Sequence, residues 1–70
     1  MEWTEGKIRK LFVDRGYGFI DAGNGKDVFF HLKFISKIER EFLKEGISVK
    51  FQVELNGDKL RAHRVTLVDR

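Results

Sequence analysis

Apolar and polar residues alternate most regularly between Ile47 and Leu55. Ile47, Val49, Phe51, Val53 and Leu55 fall on one parity, and Ser48, Lys50, Gln52 and Glu54 on the other. Successive side chains of a strand point to opposite faces, so this segment is predicted to be a strand with a core face and a wet face. Asn56-Gly57 follows as a tight-turn signal, and segment 59–67 as the next strand. There Leu60 and Ala62 share one parity while Val65 and Leu67 share the other. A bulge near His63 and Arg64 would restore the phase. Segment 6–13 has the same defect, because Ile8 and Leu11 are three apart, and a bulge near Arg9 and Lys10 would repair it. Segments 15–21 and 27–31 read as two further strands, joined by the glycine-rich turn Ala22-Gly23-Asn24-Gly25-Lys26.

Residues 32–46 differ in character. Ile35, Ile38 and Phe42 recur at helical spacing, and Ser36-Lys37-Ile38-Glu39 has the capping-box pattern. One or two helical turns are predicted there, ending before Gly46, with the three apolar residues packed as a lid on one barrel end. The alternative is an irregular loop with one 3₁₀ turn, since short helices are marginal alone. The chain has seven glycines and no proline, and its glycines fall at roughly strand-length intervals. The expected architecture is all-β: one domain over residues 1–70, a five-stranded antiparallel barrel with a short helical turn or loop between strands three and four.

The chemistry centres on Arg15-Gly16-Tyr17-Gly18-Phe19-Ile20. On a strand Tyr17 and Phe19 point one way and Ile20 the other. Gly16 and Gly18 flank the rings and read as clearing the surface around them. In the next strand Phe29 and His31 share one face, and Val28 and Phe30 the other. Paired as a hairpin, the two strands would gather Tyr17, Phe19, Phe29 and His31 into one platform and send Ile20, Val28 and Phe30 inward. Strand aromatics are more often core than platform. Here Val28, Phe29 and Phe30 are consecutive, so whichever parity is inside, a large ring is left out. Planar rings suit unstacked bases, and each base stacked on an aromatic contributes about 1–3 kcal/mol with little sequence preference. The charge balance, fourteen basic against eleven acidic residues and a net +3, is a mild bias towards polyanions.

These two segments resemble the paired ribonucleoprotein motifs of the cold-shock domain family: Arg15-Gly16-Tyr17-Gly18-Phe19-Ile20 the first, Asp27-Val28-Phe29-Phe30-His31 the second. The resemblance runs from about Gly6 to Val68. It implies a five-stranded OB-type barrel that binds single-stranded RNA or DNA, in some members as an RNA chaperone or antiterminator. It places Arg9, Tyr17, Phe19, Phe29 and His31 at binding positions. Lys10, Arg15 and Arg64 complete the candidate nucleic-acid-binding set. The chain departs from the family where a Trp is usual at Lys10, a Phe at Leu32 and often an aromatic at Arg40. Binding is therefore expected to lean more on charge than is usual in the family.

Other classes fit less well. An RRM would place an aromatic two residues after Ile20, where this chain has Ala22, and would need two helices. Ser36 and Ser48 have no neighbouring histidine or nucleophile-elbow context, and no Walker or Rossmann glycine pattern occurs, so no enzyme is predicted. Two isolated histidines without cysteine make a poor zinc site, and no metal or small-molecule cofactor is expected. His63 reads as an ordinary strand residue. The main rival is an OB barrel that uses the same aromatics for protein interaction or self-assembly; oligosaccharide binding is a further OB function. The polar N-terminus and lack of a long apolar run predict no signal peptide and no membrane span. The expectation is a cytoplasmic protein, monomeric, with single-stranded RNA or DNA as partner. Trp3 has no assignment.

Overall fold

The computed structural model describes residues 3–23, 25 and 27–68. The strands are β1 (Thr4–Phe12), β2 (Tyr17–Asp21), β3 (Asp27–His31), β4 (Ser48–Asn56) and β5 (Lys59–Leu67). They close into a barrel in the order β1-β2-β3-β5-β4. Neighbours are antiparallel except at the closure, where β3 and β5 run parallel at Phe29 and Arg61. The barrel is filled by Ile8, Ile20, Val28, Phe30, Val49, Phe51, Ala62 and Val65, with Leu32 and Ile35 covering one end.

Both expected bulges are present. Ile8 pairs with Ile20 and Lys10 with Phe19, which leaves Arg9 as the extra residue in β1. Phe51 pairs with Val65 and Gln52 with His63, which leaves Arg64 extra in β5. Arg64 takes φ 72°, a left-handed conformation uncommon for a side-chain-bearing residue. Each bulge shifts its strand's parity by one, so Ile8 and Leu11, and Ala62 and Val65, can all turn towards the core.

The strand expected to begin at Arg15 begins at Tyr17. Val13–Arg15 form a 3₁₀ turn, and Gly16 closes it in the left-handed region at φ 81°. Gly18 differs from its expected role. It is buried, and a Cβ placed there would lie 2.6 Å from the Lys10 carbonyl and 2.8 Å from the Phe30 ring. So Gly16 serves the turn, and Gly18 admits the Phe30 ring and the β1 backbone, where the sequence had read both as clearing the surface.

Strand β4 departs from its expected alternation at one end. Leu55, expected in the core, is 68% exposed. Among the described residues β1 pairs with β4 over Thr4–Lys7 and Phe51–Ser48, whereas β5 follows β4 to Asn56. Among the described residues the end of β4 is paired with β5 alone, and Leu55 stands in solvent there. Gln52, on the expected wet parity, is buried.

The connection after β3 holds a 3₁₀ turn, Leu32–Phe34, and a single helical turn, α1 (Lys37–Arg40). Ser36 is the N-cap, its Oγ accepting from the Glu39 backbone N–H at 3.2 Å. The expected lid forms only in part. Ile35 is buried, but Ile38 is 76% and Phe42 59% exposed. The bonds Phe42 N–H to Glu39 C=O and Leu43 N–H to Arg40 C=O span three residues, so the helical period is lost after Arg40. The chain turns Leu43 to the core instead of Phe42. Glu39 is the α1 residue that faces the barrel: its Oε2 accepts from the Thr66 hydroxyl at 2.7 Å and the Leu67 N–H at 2.9 Å.

Candidate nucleic-acid interface

Antiparallel pairing of β2 with β3 places Tyr17 opposite His31 and Phe19 opposite Phe29. Directly opposed residues put their side chains on one face. Ile20, Val28 and Phe30 fill the other face completely, which leaves the four rings outward and half-buried. The end of this hairpin is held by the Leu32 N–H, which donates to the Gly16 carbonyl at 2.9 Å.

The rings touch one another but do not lie flat. Phe29 is central, with its centroid 5.4 Å from Tyr17, 5.7 Å from Phe19 and 4.8 Å from His31. Tyr17 meets it at 34°, Phe19 at 67° and His31 at 89°. Phe19 and His31 meet Phe29 edge to face, as aromatic quadrupoles favour, so the cluster presents both faces and edges.

The cations stand around it. Lys10 lies opposite Phe19 across the β1–β2 ladder and is exposed, on the same face as the rings. Arg9, in the bulge, pairs with Asp27 at 3.3 Å. Both partners are half-exposed, so the pair is worth about 0.2–1 kcal/mol. Arg15 is exposed in the 3₁₀ turn beyond Tyr17. Arg64 is exposed at the β5 bulge, where β5 pairs with β4, and the structure does not gather it with the ring cluster. Leu32, which takes a family stacking position, is buried in the core cluster. Arg40 donates from Nε to the Leu32 carbonyl at 2.9 Å.

Several neighbours escaped the sequence reading. Phe12 pairs with Tyr17 across β1–β2, centroids 5.2 Å apart. Its parity was concealed by the Arg9 bulge. Phe34, from the 3₁₀ turn, lies 6.3 Å from His31 and 5.3 Å from His63. Leu55, Leu60 and Arg61 line an open cleft with Phe19 and Phe29. Here the signal lay in the β3–β5 closure, which pattern alone does not disclose. Trp3 is exposed, with the Lys50 ammonium 5.7 Å from its ring, away from this cluster.

Among the described residues no helix is long and apolar enough to cross a membrane. The sequence profile described as the 'Cold-shock' DNA-binding domain matches residues 4–68. The chain is 38% identical over 61 residues to the cold shock protein CspC of Bacillus subtilis, covering 87% of this chain and 92% of that protein. It is 38% identical over 51 residues to the major cold shock protein of Streptococcus pyogenes, with 73% and 76% covered. It is 34% identical over 55 residues to the cold shock protein CspA of Staphylococcus saprophyticus, with 79% and 82% covered. With its closed five-stranded barrel and its outward ring cluster, this chain belongs to the cold-shock domain family of nucleic-acid-binding domains.

Proposed function

We propose that the protein binds single-stranded RNA or DNA by stacking unpaired bases on Tyr17, Phe19, Phe29 and His31, and acts as an RNA chaperone in the cytoplasm. Arg9, Lys10 and Arg15 meet the phosphates at the rim. The observation that carries this reading is the double-sided β2–β3 hairpin. Its inward side is complete with Ile20, Val28 and Phe30, yet four further rings stand outside in mutual contact. A core that needs no more aromatics gives these rings no interior use, whereas a base has a π-face that stacks on them. The role is binding rather than catalysis, and the lack of cysteine fits a reducing compartment.

Preference for unpaired strands follows from the same geometry. A duplex keeps its bases stacked on each other and hides their faces from the rings. A protein that binds only the open form draws the equilibrium towards it. The test is a melting curve of a weak RNA hairpin with and without protein, beside a titration of a matched duplex. A lowered melting temperature without ATP, with weaker duplex binding, is expected. An unchanged melting temperature with equal affinity for both forms would move the function to the protein-interaction barrel.

A further inference from the structure

We infer that Phe34 and His63 form an additional base-stacking subsite, through which a bound strand crosses from β3 onto β5. The inference rests on the single-strand reading and extends the site beyond the two motifs that first identified it.

Phe34, the last residue of the 3₁₀ turn after β3, is half-buried beside the core residues Leu32 and Ile35. It lies on the ring side, with its centroid 6.3 Å from His31 and 5.3 Å from His63. His63 shares the strand parity of Arg61, outward from buried Ala62. Its side chain is 39% exposed. The parallel contact of Phe29 with Arg61 brings β5 beside β3 and so sets this pair next to the platform. His31 is the shared member: it touches Phe29 on one side and Phe34 on the other. The ring track is therefore continuous from Phe29 through His31 to His63.

The charges around the pair suit a nucleotide. The Lys33 ammonium lies over the Phe34 ring, 5.4 Å from its centroid, so a base stacking on that face displaces it towards the flanking phosphate. Glu54 lies 4.0 Å from His63 Nδ1, which leaves Lys33 to meet the phosphate at this pair. The ligand is one more unpaired base of the strand already held by Phe29 and His31, of any sequence, since stacking reads a π-face rather than an edge.

Oligothymidylates of increasing length, titrated by fluorescence anisotropy, test this. Wild type should gain a step in affinity when the oligomer becomes long enough to reach beyond His31. Phe34→Leu keeps apolar bulk and removes the ring. It should abolish that step, weakening the long oligomer on the order of tenfold while leaving the shortest binders unchanged, as loss of one stacking ring implies. His63→Gln should diminish the same step. Phe29→Leu should weaken every length. Phe34 and His63 ring-proton shifts in the wild type, on adding the long but not the short oligomer, give a readout independent of any variant's folding. A step that survives Phe34→Leu, or rings unmoved by the long oligomer, overturns the subsite. If Phe29→Leu also changes nothing, the single-strand reading itself fails.

Discussion

The β2–β3 hairpin and the α1 segment both expose apolar side chains, but they do so in different company. On the hairpin each outward ring leans on another: Phe29 alone touches Tyr17, Phe19 and His31. On the α1 segment Ile38 and Phe42 stand far into solvent. The hairpin is anchored from below by Phe30, whose ring is fully buried against Gly18. The α1 segment is anchored instead by Ile35, Leu43 and the hydrogen bonds of one carboxylate, Glu39. Mutual contact narrows the rotamers open to half-buried rings, which lowers the ordering cost of any ligand that stacks on them. Singly exposed apolar side chains carry no such meaning.

The largest effect should come from removing the hairpin's anchor. Phe30→Ala leaves a cavity beneath Gly18 and should cost about 3–5 kcal/mol of stability, read from a urea unfolding midpoint. In a domain of this size that is most of the available stability, so the variant should be largely unfolded. A well-folded Phe30→Ala protein would show that the ring platform does not depend on the core below it. By contrast Phe19→Ala should act on the ligand: about 1–3 kcal/mol of single-strand affinity is lost. An unfolding midpoint measured beside the titration separates the two.

The α1 anchor is polar, and its signature is a pH dependence. Hydrogen bonds from the Thr66 hydroxyl and the Leu67 N–H, then from Ser36, hold the Glu39 carboxyl below its ordinary value of 4.5 against an opposing desolvation. A depressed carboxylate stabilises the fold fully above its unfolded value, and that contribution is lost as the pH falls through the lower folded value. Glu39→Ala removes an acceptor from the half-buried Leu67 N–H and should cost about 0.5–1.5 kcal/mol at neutral pH. Stability measured from pH 6 downwards should fall less steeply below about 4.5 in this variant than in the wild type. Parallel slopes would mean the latch is not held by an ionised carboxylate.

How far each region was legible follows from what directs its side chains. In β2 and β3 the direction of every residue is set by strand parity, so Tyr17, Phe19, Phe29 and His31 could be placed on one face from their spacing alone. The bulges were legible for the same reason: only an extra residue reconciles Ile8 with Leu11 and Ala62 with Val65. The closure of β3 on β5 is a long-range event with no local pattern, and Phe34 and His63 were missed with it. In 35–43 the apolar spacing was helical, yet the chain took one turn and then tightened, and the residue facing the barrel became a glutamate. Leu55 obeyed its strand's alternation and was still exposed, at the end of β4 that among the described residues is paired with β5 alone.

The smallest effect should be at Ile38 and Phe42, and it sharpens the comparison most. Their spacing had marked them as core. If they were a lid, replacing either by Ser would cost a large fraction of a buried side chain's transfer energy, about 1.5–3 kcal/mol. With 76% and 59% of their surfaces in water, little burial remains to be lost. Each Ser variant should therefore stay within about 0.5 kcal/mol of wild type, as surface substitutions do. Ile35→Ser, three residues before Ile38 and nearly inaccessible, is the matched contrast: it buries a hydroxyl and opens a void at the barrel end, and should be strongly destabilising. Urea midpoints of the three variants, measured together, check the ranking. Losses of similar size at Ile35, Ile38 and Phe42 would restore the three-residue lid, and with it a second turn of helix after Arg40.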